Sequence, residues 1–170
     1  CYETGLTELS SGRLMAAFRI SGFPRPWHHE VAEDWGAGPP DSHGRIFRHV
    51  MLGHSDDGGL SWSPPRPVVD NEGHPLLLYG ECNGELVELP DGRLVFVHQT
   101  RYPRGRSQLS AKVSMDGGLT WHPETWRINY GFGYSSTLAL ADNQLLTVTG
   151  SSLGDNGHPR RVMAISWRID

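Results

Sequence analysis

An eight-residue motif occurs twice in this chain and limits what the chain can fold into. Ser55-Asp56-Asp57-Gly58-Gly59-Leu60-Ser61-Trp62 and Ser114-Met115-Asp116-Gly117-Gly118-Leu119-Thr120-Trp121 lie 59 residues apart. Six positions are identical and a seventh exchanges Ser for Thr. The Ser and Asp side chains suit hydrogen bonds to nearby backbone N–H groups, which hold a turn. The paired glycines permit positive φ. The hydroxyl residue after them restarts an extended chain, and the indole is a large apolar anchor. Both indoles are therefore expected to be largely buried. The acidic residues invite a calcium reading, but a turn accounts for every shared position.

A second repeat underlies the first. Glu8-Leu9-Ser10-Ser11-Gly12-Arg13-Leu14-Met15 matches Glu88-Leu89-Pro90-Asp91-Gly92-Arg93-Leu94-Val95, and a weaker copy is Ala139-Leu140-Ala141-Asp142-Asn143-Gln144-Leu145-Leu146. Each is an apolar run, a tight turn and a second apolar run, the pattern of a β-hairpin. The first unit pairs 3–9 with 13–20, then 46–54 and a strand near 66–70. The second pairs 83–89 with 93–100, then 108–114 and 124–128. The third pairs 134–140 with 144–150 and 160–168, with no box motif after it. Four-stranded units repeated along a chain read as propeller blades. The expected fold is all-β: a partial propeller of about three blades, roughly 1–70, 71–128 and 129–170, within one domain. Three blades are too few to close a ring.

Residues 21–45 interrupt the first unit. Trp27, His28, His29 and Trp35 lie there among several prolines and glycines. A loop this long is usually functional or disordered. It reads either as a rim loop whose aromatics touch a sugar or as a solvated decoration.

Composition narrows the function. The net charge is -4 with no basic stripe, so nucleic acid is not an expected partner. No apolar run is long enough for a transmembrane helix. Nine histidines lack regular ligand spacing, so no metal site is expected, and no cofactor motif stands out. Cys1 and Cys82 are too few for a disulfide framework. Cys1 runs straight into a strand pattern. The chain therefore reads as one that begins partway through a longer protein, not as a lipidated terminus.

The eight-residue motif resembles the Asp-box, or BNR repeat, of the sialidase family. Such propellers have six blades, so the resemblance implies the C-terminal half of one, packed against N-terminal blades of the same propeller. In that family the boxes lie on the side away from the active site.

Aligning the hairpins on Leu9, Leu89 and Leu140 places Glu3, Asn83 and Tyr134 at equivalent positions six residues upstream. The side-chain period of a strand puts all three on one face. The first strand of each blade lines the propeller axis, so a carboxylate, an amide and a phenol should converge at the channel mouth. The sialidase resemblance supplies roles. Glu3-Thr4-Gly5-Leu6-Thr7-Glu8-Leu9 followed by Arg19 looks like the family's Glu–strand–turn–strand–Arg motif. There the Glu assists the nucleophile and the Arg grips the sialic acid carboxylate. Gly133-Tyr134-Ser135-Ser136-Thr137-Leu138 looks like the Tyr-Ser motif, whose Tyr is the nucleophile. Arg106, eight residues before the box Ser114, matches another arginine of the carboxylate-binding triad, with Arg101 and Arg104 as neighbouring candidates. The first triad arginine and the Asp acid/base belong to N-terminal blades. Gly150 stands where family members often carry a Glu.

These residue types fit the chemistry. Guanidinium groups bind carboxylates as bidentate forks. A carboxylate nucleophile would be repelled by an anionic substrate, whereas a neutral Tyr is not. Free Tyr has a pKa of about 10, so it needs a base such as Glu3. The expected Tyr134–Glu3 separation is about 2.5–3.0 Å. The resemblance thus implies an exo-sialidase releasing terminal sialic acids with retention, in a secreted, periplasmic or cell-surface setting. Two alternatives are a non-catalytic Asp-box propeller binding glycan or protein, and a related propeller acting on another acidic sugar.

Overall fold

The computed structural model describes residues 3–22, 44, 47–77, 81–100, 107–130, 134–151 and 161–169, so most of the segment 21–45 lies outside the described residues. The described residues form three antiparallel sheets. The first contains β1 (Thr4–Glu8), β2 (Leu14–Gly22), β3 (Phe47–Ser55) and the two-residue β4 (Arg66–Pro67), in that order. The second contains β5 (Glu81–Glu88), β6 (Leu94–Thr100), β7 (Gln108–Ser114) and β8 (Trp126–Tyr130), again in chain order. The third contains β9 (Ser135–Ala139), β10 (Gln144–Ser151) and β11 (Arg161–Arg168). It has three strands among the described residues, matching the expected pairing of 134–140, 144–150 and 160–168.

The three hairpins close with the same bond. Leu9 N–H donates to Arg13 O, Leu89 N–H to Arg93 O and Leu140 N–H to Gln144 O, at 2.8, 2.8 and 2.7 Å. Gly12 and Gly92 sit at φ 83° and 86°; the third turn uses Asp142 and Asn143 at φ 56° and 55°. Asp and Asn tolerate this region better than other side chains.

Both box turns form as their residues dictate. Ser55 Oγ accepts from Gly59 N–H (2.9 Å) and donates to Asp57 Oδ1 (2.8 Å), while Asp57 Oδ1 accepts Ser61 N–H (2.9 Å). In the second copy Ser114 Oγ accepts from Gly118 N–H (2.8 Å) and donates to Asp116 (2.7 Å), which accepts Thr120 N–H (2.9 Å).

The core lies between sheets. Leu9, Met15, Ala17, Val50 and Leu52 of the first unit pack on Leu86, Leu94, Phe96 and Trp121 of the second. The other face of the second sheet, with Val87, Val95, Val97 and Ala111, packs on Leu145 and Ile169 of the third unit. The inner strands touch in sequence, β1 against β5 and β5 against β9. At one crossing a Cβ on Gly5 would stand 2.6 Å from Gly84 O, so these strands meet backbone to backbone.

The two box tryptophans differ, which corrects the expectation that both are buried. Trp121 is 3% exposed and Trp62 43%. Trp121 lies edge-on to Phe96 (5.7 Å between centroids), and its backbone N–H donates to Val69 O of the first unit (2.9 Å). Trp121 is thus enclosed by the preceding sheet. Trp62 belongs to the first unit, which has no preceding sheet among the described residues to enclose it.

Candidate functional site

The box motifs and the inner-strand starts lie at opposite ends of the sheets. Ser55, where a box begins, pairs with Leu14 beside the hairpin turn, whereas Thr4, at the start of β1, pairs with Phe18 four residues farther along β2. The seven residues from Glu3 to Leu9 span roughly 20 Å at strand rise.

Glu3 immediately precedes β1 and Arg19 lies across from it on β2. Arg19 N–H donates to Glu3 O at 2.9 Å. The side chains repeat this pairing: Arg19 Nη1 donates to both Glu3 carboxylate oxygens at 2.9 Å. The pair is mostly withdrawn from solvent, with side-chain exposures of 11% for Arg19 and 24% for Glu3. A charge pair at this depth is sustained only when both members are present.

Tyr134 stands just before β9. Its phenol oxygen lies 3.5 Å from Glu3 Oε1, across two blade interfaces. This exceeds the 2.5–3.0 Å expected and is at the outer limit of a hydrogen bond. The ring is 65% exposed, so no surrounding packing presses it closer. Thr149 pairs with Ser135, and extending that register by one sets Gly150 opposite Tyr134.

Asn83 remains with its own blade. Its Nδ2 donates to Gln99 Oε1 at 3.1 Å, and both residues are buried. The strand is irregular here: Cys82 pairs with Gln99 and Glu85 with Val97, so Asn83 and Gly84 together oppose His98. This is a bulge, a device that re-aims side chains. Asn83 takes φ 54°, and a Cβ on Gly84 would meet Val50 Cγ1 at 2.7 Å. Arg106, Arg101 and Arg104 lie outside the described residues.

Glu85 is a residue that the sequence pattern did not single out. It reaches from β5 to β9, where Oε1 accepts Thr137 N–H (2.8 Å) and faces the Ser136 hydroxyl at 3.5 Å. Burial pushes its carboxyl above the usual range, and the Thr137 and Ser136 contacts only partly offset this. The available signal was a charged residue in mid-strand, where the equivalent positions hold Gly5 and Ser136. Among the described residues no group of three or more His, Cys, Asp or Glu is arranged to hold a metal ion.

Chemically, this end of the sheets offers a carboxylate held by a guanidinium, a phenol beside it and an amide pair on the blade between. No protein-family model matches the chain, and no curated protein matches it. Solved structures do. A Hadza microbial sialidase matches at TM-score 0.58 and 19% identity, over 95% of this chain and 30% of that one. An alpha-L-arabinanase from Penicillium chrysogenum, complexed with arabinobiose, matches at TM-score 0.62 and 16% identity, over 98% and 45%. A mutant of the NanB sialidase from Streptococcus pneumoniae matches at TM-score 0.56 and 14% identity, over 99% and 39%.

The fold is a partial β-propeller. Its sheets do not close into a ring, and the chain spans less than half the length of each of these three structures. At such identities the likeness is one of fold; the chemistry rests on the residues themselves.

Proposed function

We propose that this chain is part of a retaining glycoside hydrolase of the exo-sialidase type. Tyr134 is the nucleophile, Glu3 its base, and Arg19 and Arg106 grip the substrate carboxylate, with Arg101 and Asn83 beside them. The observation that carries this reading is the placement of the Tyr134 phenol 3.5 Å from a Glu3 carboxylate held by Arg19. Attack of the phenol oxygen on the anomeric carbon breaks the glycosidic bond and passes the phenolic proton to Glu3. Water then releases the sugar from Tyr134, and two inversions give retention. The acid that protonates the departing oxygen is not among the residues matched in this chain. Substrate binding draws Arg19 partly from Glu3 to the incoming carboxylate, which frees a Glu3 oxygen to accept the phenolic proton.

The test is turnover by the full-length protein of an aryl sialoside and an aryl arabinofuranoside. Tyr134→Phe should cut sialoside turnover by orders of magnitude while binding persists. Arg106→Ala should chiefly raise KM, because it removes a grip present in ground and transition states alike. Unchanged sialoside hydrolysis by Tyr134→Phe would end this mechanism and leave the fold intact. Turnover of the arabinofuranoside alone would replace the substrate class.

A further inference from the structure

The internal repeat carries one more comparison. Asn83 and Gln99 stand 80 residues after Glu3 and Arg19, as Leu89 stands after Leu9 and Gly92 after Gly12. In the first blade the two positions hold an ion pair at 2.9 Å; in the second they hold two amides at 3.1 Å. In the third they are Tyr134 and Gly150, the latter with no side chain to offer. One level of the inner ring therefore presents a charge pair, an amide pair and a phenol.

We propose that Asn83 and Gln99 form a specificity-determining pair, the uncharged counterpart of Glu3 and Arg19, which receives a hydroxyl or amide N–H of the bound sugar. This rests on the glycan-site reading above. Asn83 touches the ligand, and Gln99 positions it. Three observations support the pair. Its members are buried polar groups where apolar side chains would serve packing better. Asn83 Oδ1 has no hydrogen-bond partner among the described residues, so an acceptor is left over in a residue that is only 9% exposed. Such a group calls for a donor. Finally, the backbone is bent to place this amide: a bulge, φ 54° at a non-glycine residue, and a Gly84 that no larger residue could replace without displacing Val50 and Phe96. An amide pair has no net charge to attract a carboxylate. It has direction, and so tells a hydroxyl that donates from a position that lacks one.

The experiment measures binding of methyl sialoside and its monodeoxy and N-deacylated analogues to the full-length protein by calorimetry. Asn83→Gly removes the amide and keeps the backbone φ; Gln99→Met removes the orienting acceptor and keeps the size. Wild type should bind one analogue about tenfold more weakly than the parent. Each variant should lose about the same factor on the parent and nothing further on that analogue, while still discriminating the others as wild type does. A loss spread evenly over all analogues, or no loss, overturns the proposal alone. Failure of wild type to bind any member overturns the glycan-site reading, and this inference falls with it.

Discussion

At the scale of single residues, identical local sequence does not guarantee an identical role. Trp62 and Trp121 close the same motif, yet only the second is enclosed, because its environment comes from the preceding sheet. Trp121→Ala should lower stability by about 3–5 kcal/mol in urea denaturation. Trp62→Ala should cost less than about 1.5 kcal/mol, since much of its ring already meets water. The box aspartates respond to pH. The Ser61 hydroxyl and N–H and the Ser55 hydroxyl draw the Asp57 carboxyl down to about 2. Burial pushes Asp116 up, but hydrogen bonds from Thr120, Ser114 and Leu119 outweigh it and leave its carboxyl lowered. A folded value below the unfolded one means the contribution is present above the ordinary carboxylate range and is lost as pH falls through the folded value. Melting temperature should therefore drop between about pH 4 and pH 2, and less steeply in Asp57→Asn and Asp116→Asn. The turn chemistry was legible because it is local. The fate of the two indoles was not, because it depends on what packs over them.

At the scale of elements, the hairpins were legible for the same reason as the boxes: apolar runs flanking Gly12, Gly92 and Asn143 leave a chain little choice. The bulge in β5 was not. Nothing local distinguishes Asn83-Gly84 from an ordinary strand; the need for Gly84 comes from Val50 and Phe96, remote in sequence. Glu85 is a similar case, because its partner is the backbone of another blade. Removing it leaves Thr137 N–H without its acceptor, so Glu85→Ala should cost about 1–3 kcal/mol and speed hydrogen exchange at Thr137. Glu85→Gln keeps an acceptor and should restore protection. Here the pH sign is opposite to that of the boxes. A folded value above the unfolded one contributes stability at low pH that is lost as pH rises through the folded value. Melts at about pH 4 and pH 7 should thus show Glu85→Gln gaining on wild type as pH rises. The site divides likewise. Glu3, Asn83 and Tyr134 are proposed from spacing and Arg19 from the family resemblance, whereas Gln99 emerges only once its bond to Asn83 is seen.

For the whole molecule, the outer faces of the first and third sheets remain uncovered among the described residues. Leu6 (64%), Leu138 (62%), Val148 (43%) and Val162 (81%) are exposed there. Apolar faces of this kind seek a cover. The 170-residue chain should therefore associate with itself at micromolar concentration, seen as concentration-dependent sedimentation, and Leu138→Lys with Val162→Lys should suppress it. A sharp, cooperatively melting monomer would contradict this. The bond from Trp121 N–H to Val69 O has a consequence in time as well as in space. It ties the second box to the segment that follows β4 in the unit before it, and Gly118 nests against Met15 of that same unit. The first box makes its own turn bonds without the second unit. Each blade thus supplies the mould for its successor, and a chain emerging from the ribosome meets its moulds in the order it needs them. Moving the second unit ahead of the first by circular permutation would preserve every native contact yet deprive Trp121 of a ready surface, so refolding should slow more than stability falls.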